Sequence, residues 1–219
     1  MELNFDIIFR NLPFLLKATL VTIKITLLSF IVAITLAFIV GILRTYKFSK
    51  ILDLILNAYV EIFRGSPLLI QLFFIYYGLP SAGIAMDAEV AAVIGLALNG
   101  AAYMSEIIRA AIISIDRGQE EAGFSLGYTR FQNLCYIILP QAVKISVPPL
   151  VNGFSSLLKD TSLISVISIT ELTRSGNLIY SRTARPFEVY LTLGLFYFVL
   201  TYIVSICSKF IEKRNEKWN

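Results

Sequence analysis

"DRGQEEAGFSLGYTRFQNLCYIILPQA", residues 116–142, stands between two long apolar runs. It carries Asp116, Arg117, Glu120, Glu121 and Arg130, and two glycines, Gly123 and Gly127, at a spacing of four. A segment that only rejoined two membrane helices would need none of this. Glu121, near the start of a short helix, suits the positive end of its dipole. Gly123 and Gly127 read as a small face that lets another backbone approach. Phe124, Tyr128 and Phe131, at spacings of 4 and 3, read as an aromatic stripe. Pro140 fits the first turn of the following helix, where its missing N–H costs nothing. The stretch therefore reads as a short amphipathic helix on the cytoplasmic side, with an aromatic face suited to a groove. A helix lying on lipid is the alternative, but that would favour basic residues on the polar face, and this one is mixed.

The flanking runs decide the class. The chain has 219 residues, 57% of them hydrophobic, and its mean hydropathy is +0.74. Such values point to a membrane protein. Five runs reach the roughly 20 residues that span a bilayer: about 18–43, 51–79, 88–113, 140–169 and 187–208. The second is interrupted at "RGSP", the fourth at "PP" and "KDTS". The expected fold is all-α and polytopic, a single transmembrane domain over 1–219. An odd number of crossings puts the two termini on opposite sides and argues against an inverted repeat that divides the chain evenly.

Composition also excludes. There is no histidine, so a histidine metal site or general base is absent. Cys135 and Cys207 show no pairing or ligand spacing. The net charge of +4 is distributed between apolar runs, which does not suit nucleic acid. Residues 1–16 lack the basic start and cleavage site of a signal peptide.

Charge orients the spans. Arg44, Lys47 and Lys50 follow the first run, and Lys209, Lys213, Arg214 and Lys217 follow the last, while residues 80–90 hold no Lys or Arg. The positive-inside rule then places the N-terminus outside and the C-terminus, with residues 44–50 and 116–140, in the cytoplasm. Arg174, Arg182 and Arg185 fall outside and fit the rule poorly.

The spans carry more polar groups than anchors need. Asp53, Asn57, Glu61, Arg64 and Gln71 share one face of the second, by spacings of 4, 4, 3 and 7. Asn99, Tyr103 and Glu106 follow spacings of 4 and 3 in the third, with Arg109 beside them. Asn152, Ser155 and Lys159 mark the fourth, with Ser156 and Asp160 adjacent. Charges at membrane depth cost at least ~2.5–3.5 kcal/mol each and face a bundle interior or a pathway. Glu61–Arg64 and Glu106–Arg109 have the spacing to neutralise one another; Glu61 and Asp160 instead read as a substrate pathway. Lys24 reads as snorkelling or paired. Gly65 and Pro67 break the second span, and irregular backbone at that depth survives only where protein buries it or water lines it. The breaks offer free N–H and C=O groups to a charged ligand.

One resemblance is specific. "EAGFSLGYTRFQNLCYIILP" resembles the EAA loop of ABC-transporter permeases, E-A-A, three residues, G, nine residues, I-x-L-P, with Gly123 in place of the third position's alanine. "FRGSPLLIQLFFIYYGLP", "AAYMSEIIRAAI" and "LLKDTSLISVI" are similar to the polar amino acid permeases, which import histidine, arginine, lysine, glutamine or glutamate. The resemblance implies the type I ABC importer permease fold in the bacterial cytoplasmic membrane. It implies that Glu121, Ala122, Gly123, Phe124, Gly127, Tyr128, Phe131 and Pro140 belong to a coupling helix, at about 116–140, that docks on a separate ATP-binding subunit. It also implies a second permease subunit and an extracytoplasmic amino-acid-binding protein.

The chain has no G-x-x-x-x-G-K-[ST] loop of its own. It is expected to hold no cofactor, ATP and Mg²⁺ being used by the partner, and to catalyse no covalent chemistry. The expected substrate is a polar, basic amino acid. Glu61 and Asp160 are expected to meet its cationic groups, and Arg64, Ser66, Gln71, Thr161 and Ser162 its carboxylate. Glutamine or glutamate is the alternative within the family. An ATPase-independent secondary transporter is the rival class, and it would leave the EAA-type segment unexplained.

Overall fold

The structure is a computed structural model that describes residues 3–216, with side chains as far as Phe210. Lys213, Arg214 and Lys217, on which the sequence places the cytoplasmic end, lie outside those described side chains. Every regular element among the described residues is helical.

Helix α1 runs Asp6–Tyr46, 41 residues. At 1.5 Å per residue that is about 60 Å, roughly twice the thickness of a bilayer's hydrocarbon core. The sequence begins this span at 18 because Arg10, Asn11 and Lys17 dilute its apolar start. Packing holds those extra turns: Ile8 and Leu15 share a core with Leu172, Ile179, Val189 and Leu193. The centre of the fold is α4, Ala88–Ile113. Its Ala97 and Ala101 meet Ala33 and Ala37 of α1 in one core. Small residues let two helices approach closely where lipid offers no hydrophobic drive to pack them. At Gly41 the approach is close: a Cβ there would lie 2.9 Å from the Ser105 carbonyl oxygen.

Helix α2, Lys50–Gly65, and α3, Leu68–Phe73, form the broken second span, bent by 108°. Beyond α3 the helix widens over Phe74–Gly78 and tightens over Leu79–Ala82. Helices α5, Arg117–Ser125, and α6, Arg130–Asn133, form the segment between spans. A second wide turn, Leu134–Ile138, leads into α7, Leu139–Asp160. The two wide turns share a cause. In "FIYYGLP" and "LCYIILP" each ends two residues before a proline. Pro80 and Pro140 bring no N–H to the carbonyls of Tyr76 and Tyr136 and crowd them, and a wider turn relieves the clash.

A tight turn, Thr161–Ile167, follows α7. Then come α8, Leu172–Thr183, and α9, Pro186–Glu216. Four helical stretches are long and apolar enough to cross a membrane, and the bent pair makes a fifth crossing. The expected break at Pro148 and Pro149 is not there: α7 continues through both. Packed turns on either side, at Ser146 and Leu150, hold the helix across the two missing N–H groups, as membrane helices tolerate.

The 116–140 segment differs from its sequence reading. Gly123 is buried against its own chain: a Cβ there would lie 2.7 Å from Asn133 Cγ and 2.7 Å from Ile137 Cδ1. Asn133 Nδ2 donates to the Glu120 carbonyl at 2.7 Å, closing α5 onto α6. Gly127 is past the end of α5, at φ +82°, where the Tyr128 N–H donates to the Gly123 carbonyl at 3.1 Å. The two glycines therefore form no shared small face: one admits a neighbour and the other ends a helix through the left-handed region. Phe124, Tyr128 and Phe131 all remain exposed, with Leu126 and Tyr136. Pro140 sits in the first turn of α7, as expected.

Candidate functional site

Where α2 stops, its last carbonyls lose their helical donors. Side chains replace them. Gln71 Nε2 donates to the Phe63 carbonyl at 2.9 Å and to the Ser66 carbonyl and hydroxyl, each at 3.0 Å. Asn99 Nδ2 donates to the Phe63 carbonyl and to Gln71 Oε1, both at 3.1 Å. The Tyr103 hydroxyl donates to the Arg64 carbonyl at 3.3 Å. The break is thus built into α4 through Asn99 and Tyr103, and the bend is a fixed feature.

The bend opens a cavity of 730 Å³ between α2, α4 and α7, within the roughly 300–1,000 Å³ of small-molecule sites. Arg64 and Asp160 are the charged side chains on its wall, with Ser66, Asn99, Tyr103, Asn152 and Ser156 as polar neighbours. Met104, Ile107, Leu68, Leu157 and Pro149 supply the apolar part. The Arg64 guanidinium lies over the Tyr103 ring, 5.3 Å from its centre. It makes no pair with Glu61, although the spacing allows one. The Asp160 carboxylate has no hydrogen bond or ion pair among the described residues; its neighbour Lys159 acts on it at longer range.

Of the seven residues expected to bind substrate, the structure brings Arg64, Ser66 and Asp160 to this wall. The other four are elsewhere. Gln71 is buried behind the wall, occupied with the bend. Thr161 is fully buried and its hydroxyl donates to the Leu158 carbonyl. Ser162 lies beyond the cavity in the tight turn that follows α7. That turn packs its Ile164 and Ile167 against Leu72 and Leu96, and the Tyr77 hydroxyl donates to the Val166 carbonyl at 3.2 Å. Glu61 lies one turn before Arg64 on α2, exposed and outside the cavity wall.

A second charged cluster holds α1, α2 and α4 together one turn beyond Tyr103. Arg44 pairs with Glu106, and its Nε donates to Asn57 Oδ1 at 2.8 Å. Arg109 pairs with the same carboxylate at 2.9 Å. The Glu106–Arg109 spacing announced half of this. Arg44 reads in the sequence as a loop charge, yet its side chain is 10% exposed. Lys24 pairs with Glu89, one of its two expected fates. Arg174 also has a partner, the Ser165 carbonyl at 3.0 Å. Glu171 is fully buried and caps α8, accepting from the Thr173 and Arg174 amides at 2.8 and 2.6 Å. Burial pushes its carboxyl up, against those bonds and the one from the Tyr197 hydroxyl.

Sequence reasoning saw Asn99, Tyr103, Asn152 and Ser156 as intramembrane polar stripes but gave them no role. Met104 went unnoticed, because one thioether in an apolar run carries no signal.

Residues 33–217 match the family described as "binding-protein-dependent transport system inner membrane component". The L-cystine transport system permease protein of Bacillus subtilis (strain 168) is 40% identical over 94% of this chain and 88% of its own length. The arginine transport system permease protein of the same organism is 35% identical over 98% of each chain. A crystal structure of an amino acid ABC transporter with histidines superposes with a TM-score of 0.91 at 37% identity, covering 98% of this chain and 100% of that one.

Proposed function

The chain belongs to the family of binding-protein-dependent transport system inner membrane components, and from that premise we propose that its cavity carries a basic amino acid. At the coarser level it is the permease subunit of an ABC amino acid importer, a multi-pass inner-membrane protein, and a separate subunit hydrolyses ATP. The finer reading rests on one observation: the Asp160 carboxylate lines the cavity with no hydrogen bond or ion pair among the described residues, whereas Arg64, the cation on that wall, is already engaged on Tyr103. An unpaired acid at membrane depth favours a cationic ligand. The neutral polar wall of Asn152 and Ser156 supports a second reading, glutamine, whose side chain needs donors and acceptors in place of a counter-charge. The working unit would pair this chain with a second permease, ATP-binding subunits that use ATP and Mg²⁺, and an extracytoplasmic binding protein.

Competition binding to the permease–ATPase complex tests the substrate. Charge-assisted hydrogen bonds contribute roughly 1.5–3 kcal/mol, so Asp160→Asn should weaken arginine and lysine about ten- to a hundredfold. Glutamine should lose less. An equal loss for all three would assign Asp160 to the shared α-ammonium and remove the basic preference.

We also place the N-terminus outside and the C-terminus in the cytoplasm. Arg174 and Arg185, which strain that orientation, both hold structural partners, Ser165 and Glu188. In a chain lacking Cys135 and Cys207, a cysteine at Ser49 should resist an impermeant thiol reagent in intact cells and one at Ser81 should react. The reverse pattern would invert the topology.

A further inference from the structure

Gly153 of α7 faces Met104 of α4 at the cavity wall. A Cβ at Gly153 would lie 3.1 Å from Met104 Cε and 3.5 Å from its Cγ. That is closer than ordinary contact, so a side chain at 153 forces something to move. The backbones are held. At Gly100 an added Cβ would meet Leu157 Cδ1 at 3.2 Å and Ala33 Cβ at 3.5 Å, so α4 is pinned between α7 and α1 just one turn away. Phe154, next to Gly153, stands edge-on to Phe30 of α1, ring centres 5.0 Å apart, a direct contact of α7 with α1. Met104 is 2% exposed and its flexible thioether is the part that can yield. The neighbouring free volume is the cavity.

We propose that Met104, lying against the bare Cα of Gly153, sets the length of amino-acid side chain that the cavity admits. The inference rests on the cavity being the substrate site. Arg64 and Ser66 face the carboxylate common to all amino acids, and Asp160 faces the cationic end of a basic side chain. Met104, Ile107 and Leu157 form the apolar part against which an unbranched stem lies. With Gly153 the thioether stays flat against α7 and the cavity keeps its depth. With alanine there, Met104 gives way by a few tenths of an ångström, more with a larger residue, and the free volume beside it is the cavity, which it shortens. The substrate class is therefore an amino acid with a long, unbranched side chain.

The test is equilibrium competition on the permease–ATPase complex in nanodiscs, with the binding protein left out so that its own selectivity does not mask the cavity. Arginine, lysine, glutamine, alanine and serine serve as probes, with homoarginine added for Met104→Ala. Gly153→Ala is expected to weaken the three long amino acids about tenfold relative to alanine and serine, the discrimination that one methylene's worth of space provides. Adding Met104→Ala should restore them. Met104→Ala alone, which requires no adjustment of α7, should improve homoarginine over arginine severalfold. A uniform loss across long and short probes, or an unchanged long-to-short ratio in both single variants, overturns the proposal. Arg64→Ala with Asp160→Asn separates it from the site reading. If that pair leaves all binding intact, the cavity is not the site; if it abolishes binding while Gly153→Ala changes no ratio, only the role of Met104 falls.

Discussion

Glu106→Gln should destabilise the folded permease more than any other single isosteric change in the membrane region. Glu106 neutralises Arg44, whose side chain is 10% exposed, and also holds Arg109. Removing one member of a buried pair strands the other, at a cost of about 3–5 kcal/mol. Arg44 keeps its bond to Asn57 Oδ1, but an amide oxygen does not balance a guanidinium charge. Arg109 is 35% exposed and can turn to water, so its loss matters less. The expected result is a sharply lower unfolding temperature of the detergent-solubilised protein. Arg44→Met combined with Glu106→Leu should recover much of it, because both buried charges leave together. An unfolding midpoint for Glu106→Gln equal to that of the parent would mean that the cluster is hydrated and does not join α1, α2 and α4.

We propose that the α5–α6 segment docks on the ATP-binding subunit, so Gly123→Val should uncouple the permease from its ATPase. A Cβ at 123 already crowds the Asn133 amide and Ile137 Cδ1, and Asn133 is 1% exposed. Two further methyl groups leave Asn133 no room to keep its bond to the Glu120 carbonyl. Overpacking of this kind costs roughly 1–3 kcal/mol, enough to part α5 from α6 and displace Phe124, which α5 carries to the surface. The expected outcome is normal insertion with loss of ATPase copurification. Gly123→Ala should act in the same direction but weakly, since the side-chain ends of Asn133 and Ile137 can shift. Gly127→Val works differently: open space surrounds Gly127, but its φ of +82° disfavours a β-branched residue. Full ATPase recovery with Gly123→Val would show that docking does not depend on the α5–α6 contact.

The relation between sequence and structure is uneven, and particular residues show why. Apolar run length depends on composition alone, so the crossings and the break at Gly65–Pro67 were legible. Local spacing announced Glu106–Arg109. The same spacing allowed Glu61–Arg64, which does not pair, while the favoured reading of Glu61 as a pathway residue failed too, because it lies outside the cavity wall. Spacing along one helix brings two side chains within reach of each other but says nothing of a third partner. Tyr103, from 39 residues away, offered Arg64 its ring and took its carbonyl. Gln71 and Asn99 were read as polar groups at membrane depth, which they are. Only the meeting of the bend with α4 turned Gln71, a candidate ligand, and Asn99, a polar group without a role, into donors for orphaned carbonyls.

Gly123 shows the same division. The sequence determined that the position is small and lies in an EAA-type segment. Which neighbour required the smallness was decided when α6 folded back on α5. The periodicity of a helix is a local property, carried by each residue's own spacing, and so it is present before folding. The pairing of Arg44 with Glu106 joins residues 62 positions apart, and the cavity wall and the seat of Met104 against Gly153 likewise join residues far apart in the chain; no local signal specifies them. They exist only once close packing of small residues has set the distances between α1, α4 and α7.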